Sequence, residues 1–150
     1  MIGNLISVVA ITVSADVDWT STLTSTNGAI TLGVKTITAA LEAAATITLG
    51  ASAVTGDLTS TKGRTITLGE KAVCRTIYTE GVITLAAITE TCDLTSTTGA
   101  ITVGAGAKTG AVATNGGMVY GAGAETGDLS STKMWHYYHH HRGRCLWRRL

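Results

Sequence analysis

Aliphatic and polar residues alternate in short bursts along this chain, as in AITL, TITL and AITV, and the bursts return at a fixed distance. The aliphatic that opens each unit falls at Leu5, Leu23, Leu41, Leu58, Ile77, Leu94, Val112 and Leu129, with spacings of 18, 18, 17, 19, 17, 18 and 17 residues. A second file runs Ile11, Ile30, Ile47, Ile66, Ile83, Ile101 and Met118, and a third runs Val13, Leu32, Leu49, Leu68, Leu85, Val103 and Tyr120. A small residue follows the third file at Ser14, Gly33, Gly50, Gly69, Ala86, Gly104 and Gly121. Within each burst the period is two, so Ile and Leu or Val face one side and Thr the other. β-branched Thr, Ile and Val suit strands, and the glycine is read as the residue that lets the backbone turn the corner.

Repetition of like on like at one period selects an architecture. A hairpin meander also gives short strands at even spacing, but identical files suit parallel coils in which residue i sits over the residue one coil earlier. The expectation is all-β: a three-sided parallel β-solenoid of about seven coils of about 18 residues, right-handed, over residues 1–133. The period alone does not fix the hand. Helix is the weakest alternative, because LEAAATI is the one helix-friendly window and it stays in register. Residues 134–150, MWHYYHHHRGRCLWRRL, break the pattern and are read as a non-repetitive basic, aromatic and His-rich tail rather than a coil.

Composition removes several function classes. The chain has 150 residues, 45% hydrophobic and 14% charged, enough for one domain and too apolar for a disordered chain. The net charge of +1 hides an asymmetry, since Arg142, Arg144, Arg148 and Arg149 lie in the tail. Residues 1–133 carry seven basic and ten acidic groups, a net charge of −3, which argues against a nucleic-acid partner. No apolar run reaches the length of a membrane span. The opening MIGNLISVVAITVSAD ends in small residues but lacks a basic leader, so it is read as the first coil.

Catalytic chemistry has no constellation to rest on, and the expectation is a protein that is not an enzyme and takes no cofactor or metal. His136, His139, His140 and His141 lie in the tail with Cys145, where incidental metal affinity is a better reading than a built site. GAGAKTG (104–110) lacks the spacing and the following helix of a phosphate loop. NGGMVYGAGAETGD lacks the glycine–aspartate calcium pattern and offers only Asp128. Cys74 and Cys92 stand 18 residues apart, which would make them neighbours on adjacent coils, bridged or reduced.

The remaining signal is the outward face of one wall. Beside the Ile file, the outward pairs are Ala29/Thr31, Thr46/Thr48, Thr65/Thr67, Val82/Thr84, Ala100/Thr102 and Gly117/Val119, with no charge among them. The strand after the Leu file carries Glu42, Tyr78 and Glu80, and the third side is read as holding Lys35, Glu70, Lys71, Arg75, Glu90, Lys108 and Glu125. A solenoid with Thr–x–Thr ranks on a charge-free face resembles the β-solenoid ice-binding (antifreeze) proteins. That resemblance spans Ile30 to Val103 and implies adsorption to ice or ordered water through Thr31, Thr46, Thr48, Thr65, Thr67, Thr84 and Thr102, in a secreted or cell-surface protein. Ala29, Val82 and Ala100 depart from full Thr pairs. The competing reading is that Thr is simply a favoured exposed-strand residue.

A second resemblance is structural. ITLGASAVTGDLTS (47–60) and ITVGAGAKTGAVAT (101–114) are similar to coils of the bactofilins, bacterial cytoskeletal proteins. It implies a cytoplasmic scaffold that self-associates end to end through apolar end coils, without nucleotide. The repeats of a cell-surface adhesin share the same features.

Overall fold

In the computed structural model, which describes residues 3–19 and 21–131, the chain winds as a parallel β-solenoid of about seven turns. The tail of 134–150 and its histidines lie outside the described residues. The first wall is an eight-stranded sheet built from Leu5–Ser7, Leu23–Ser25, Leu41–Ala43, Leu58–Ser60, Ile77–Thr79, Leu94–Ser96, Val112–Thr114 and Leu129–Ser131. The second is a seven-stranded sheet of Ile11–Val13, Ile30–Leu32, Ile47–Leu49, Ile66–Leu68, Ile83–Leu85, Ile101–Val103 and Met118–Tyr120. The third pairs Asp18–Trp19 with Ile37–Thr38 and Lys108–Thr109 with Glu125–Thr126. Single parallel bridges through Val54, Val73 and Glu90 join those two pairs. Among the described residues there is no helix, and none is long and apolar enough to cross a membrane.

Register follows the sequence files. Leu41 pairs with Leu58, Ile66 with Ile83, and Leu68 with Leu85, so each aliphatic lies on its counterpart. These side chains point inward and are buried, Leu23, Ile30, Ile47, Ile66, Ile83 and Leu94 at 0% exposure. Burying one is worth about 1.5–3 kcal/mol. The third wall contributes Thr36, Ala53, Ala72, Thr89 and Ala107 to the interior. Large aliphatics from two walls fill the narrow section, and the third closes it with small residues.

Coil length varies mainly between the first and second walls, with one further residue between Asp18 and Leu23 at the corner from the third wall to the first. From the second wall to the third the offset is seven residues in every coil, as from Ile30 to Ile37 and Ile101 to Lys108. Between the first and second walls it runs from six residues (Leu41 to Ile47) to eight (Leu58 to Ile66). Insertions such as Lys62, Gly63 and Arg64 are therefore taken up at that corner, and all three walls keep their pairing.

A file of buried hydroxyls holds the variable corner. Ser25 Oγ donates to the Val9 carbonyl at 2.9 Å, Ser60 Oγ to Ala45 at 3.0 Å, Thr79 Oγ1 to Arg64 at 2.7 Å, and Thr114 Oγ1 to Gly99 at 2.6 Å. Each bond ties a coil to the corner of the coil before it. The same oxygens accept from their own corner, from Gly81 N–H at 3.0 Å for Thr79 and Gly116 N–H at 2.9 Å for Thr114. Carbonyls and N–H groups of this irregular corner thus find side-chain partners. Ala43 interrupts the file.

The turn between the second and third walls corrects the expectation about glycine. Left-handed backbone occurs not at Gly33 or Gly50 but two residues later, at Asp16, Lys35, Ser52, Lys71 and Ile88, with φ between 54° and 59°, and at Gly106 and Gly123. The glycines directly after the strands serve close packing. A Cβ on Gly50 would lie 2.5 Å from the carbonyl carbon and oxygen of Gly33 on the coil below. Ile88 is the costly member of the left-handed file, because a β-branched residue is strained there.

Removing one corner hydroxyl measures that device. Thr79→Val keeps the shape, strands Gly81 N–H and costs Arg64 a partner. It is expected to lower unfolding free energy by about 1–3 kcal/mol in urea titration, and an unchanged midpoint would count against the corner-cap role.

Candidate functional site

The outward face of the second wall is built by the period-two pattern. With Ile and Leu held inside, the middle residue of each strand must point to solvent. Thr12, Thr31, Thr48, Thr67, Thr84 and Thr102 pair in unbroken register and Val119 ends the file. Five inter-strand steps of 4.7–4.9 Å make this file about 24 Å long. A second file lies one step before each strand. Ala29, Thr46, Thr65, Val82, Ala100 and Gly117 each accept, through the carbonyl, the N–H of the Ile on the preceding coil, at 2.9–3.1 Å. Thr46 lies about 6.5–7 Å from Thr48, as Thr65 does from Thr67.

All seven threonines singled out from sequence thus lie on one wall. Thr31, Thr48, Thr67, Thr84 and Thr102 form a single file, and Thr46 and Thr65 a second file two coils long. Thr12 was missed, although its place between Ile11 and Val13 carries the same signal. Thr12 and Thr31 are exposed, and the others are half-buried by their neighbours. Neither file holds a charged residue. Lys62 and Arg64 border the wall at one corner, and Lys35, Glu70 and Lys71 at the other. β-branched side chains leave few χ1 choices, so the array of hydroxyl and methyl groups is stiff.

The third wall differs from its sequence reading. Lys35, Glu70 and Lys71 occupy the turn that leads to it, and Arg75 the corner beyond it. Its outward file reads Asp18, Ile37, Val54, Val73, Glu90, Lys108, Glu125. Ile37, Val54 and Val73 are 42%, 40% and 37% exposed and form an aliphatic stripe. Lys108 and Glu125 approach at 3.9 Å with both side chains well solvated, a pair that adds little stability.

The cysteines are not stacked. Cys74 N–H bonds the Glu90 carbonyl, which places Cys74 over Thr91, while Cys92 N–H bonds the Arg75 carbonyl. The coil between them is 17 residues long from Val73 to Glu90, so a spacing of 18 puts the two thiols on opposite sides of the wall. Cys74 is buried and Cys92 exposed, and both are free. Among the described residues no group of His, Cys, Asp or Glu is arranged to hold a metal ion.

No protein family, curated protein or solved structure matches the chain.

Burial pushes the Cys74 thiol from 9.0 up to about 12, with the nearby Cys92 and Asp57 adding to the rise. A raised thiol pKa leaves the folded state protonated where the unfolded chain ionises. Its contribution to stability is complete below pH 9 and is lost between about pH 9 and 12. At pH 8, iodoacetamide is expected to label Cys92 quickly and Cys74 only on unfolding, read by peptide mass; equal labelling of both would contradict the burial.

Proposed function

We propose that this protein binds ice, or the ordered water at an ice surface, through the second wall. The observation that carries this reading is the uncharged, six-threonine file from Thr12 to Thr102, flanked by Thr46 and Thr65. Regular hydroxyls and methyls on a stiff sheet hold water at fixed spacings, and the absence of charge keeps hydration shells of ions off the face. The protein's place would be outside the cell or on its surface, where ice forms. Thr67→Tyr puts a bulky ring in the middle of the file. It is expected to remove most thermal hysteresis and recrystallisation inhibition, while unfolding free energy changes by about 0.5 kcal/mol or less. Val54→Tyr on the third wall serves as the control that keeps activity; wild-type protein that leaves ice growth unaltered would refute the reading.

A second reading, self-assembly into a structural polymer or surface repeat, is favoured by the first coil. Leu5 is 37% exposed, and Ile6, Val8 and Val9 are each 69% exposed. Ile6 and Thr12 lie on the first strand of each ladder among the described residues, and a ladder edge of this kind can template another strand. Val9→Glu is expected to dissolve filaments seen in negative stain and to leave ice activity unchanged; protein that sediments as a monomer at high concentration removes this reading.

A further inference from the structure

The first wall carries chemistry that the ice reading does not use. Its outward file runs Ile6, Thr24, Glu42, Thr59, Tyr78, Thr95, Ala113, Ser130. Tyr78 is 46% exposed and stands between Thr59 and Thr95, whose short side chains leave the aromatic ring proud of the sheet. Beyond Thr95 the file drops to Ala113, and the missing side chain opens a shallow depression of 150 Å³. Thr95, Thr97, Ala113, Asn115 and Ser130 line it with Ser96 and Thr114, whose hydroxyls turn inward to backbone carbonyls; the lining is uncharged and more apolar than polar. Two inter-strand steps, about 9.6 Å, separate Tyr78 from Ala113.

From this arrangement we infer that the first wall binds a neutral polysaccharide along the solenoid axis. Sugar rings have one apolar C–H face and a rim of hydroxyls, and they match an amphipathic aromatic surface followed by an uncharged, largely apolar depression with Thr95, Thr97, Asn115 and Ser130 around it. One residue of the glycan stacks on Tyr78, the next passes over Thr95, and the one after that enters the depression over Ala113. Glu80, two residues after Tyr78, accepts from a sugar hydroxyl at the edge. The depression carries no charge to select an acidic glycan.

Affinity electrophoresis through gels loaded with β-1,4-glucan, β-1,3-glucan or α-mannan tests this directly. Retardation by at least one of these is expected, with Tyr78→Ala weakening it tenfold or more and Tyr78→Phe preserving it. Ala113→Tyr, which fills the depression, is expected to weaken binding as well, while Val54→Tyr on the third wall leaves it unchanged. Tyr78 and Ala113 lie on the outer surface, so the variants are expected to keep the wild-type unfolding midpoint, measured in parallel. Lack of retardation by all three polysaccharides, or Tyr78→Ala binding as wild type does, would overturn the inference. Neither result depends on the ice assay, because the two faces share no residue.

Discussion

Every property of this molecule depends on keeping one coil in register over the next. The parallel backbone ladder fixes the step between coils, and the aliphatic files keep each strand from sliding, because a one-residue slip would turn Leu and Ile outward and Thr inward along a whole strand. No single coil has enough interior to fold alone, so stability accumulates by nearest-neighbour contacts. The corner hydroxyls serve the same end. Ser25, Ser60, Thr79, Ser96 and Thr114 bond to the coil before, so even the irregular corner transmits register. A face of evenly spaced threonines is a by-product of that registration, and could not survive its loss.

The architecture was legible because its cause is written in the sequence as a period. Three aliphatic files with one spacing predicted parallel pairing, and Leu41 over Leu58 or Ile66 over Ile83 is what that spacing means in space. The details that escaped are those that depend on three-dimensional approach. The glycines after each strand look like turn residues, but Gly50 is small because the backbone of Gly33 lies beneath it, and the left-handed position is held by Lys35, Ser52 and Ile88. Nothing about lysine or isoleucine announces that conformation. Cys74 and Cys92 were misplaced for a related reason, since a coil of 17 residues shifts an 18-residue spacing across the wall. On the candidate face, the seven named threonines were accessible from alternation alone. Which charges lie on the third wall was not, because turn and strand residues look alike there.

The three walls have distinct surfaces because the interior constrains only alternate positions. On the second wall the free positions hold threonine and small residues. On the first they alternate between threonine and larger groups such as Glu42 and Tyr78, and on the third they change from an aliphatic stripe to charge between Val73 and Glu90. One rigid frame therefore presents three chemistries, and a change on one wall leaves the other two in place. The step between the second and third walls stays at seven residues, so most of the variation in coil length falls at the border where Lys62 and Arg64 stand.

The direction of the hydrogen-bond ladder also sets how this molecule would yield under load. Inter-coil bonds lie along the long axis, and the first and last described coils are at opposite ends. Tension applied through Leu5 and Ser131 would pull in line with those bonds and detach one turn at a time, as a seam opens, rather than shearing a whole sheet at once. Each detached turn would release about 18 residues of slack, some 60 Å of extended chain. A rod built this way would lengthen by such increments rather than give way all at once.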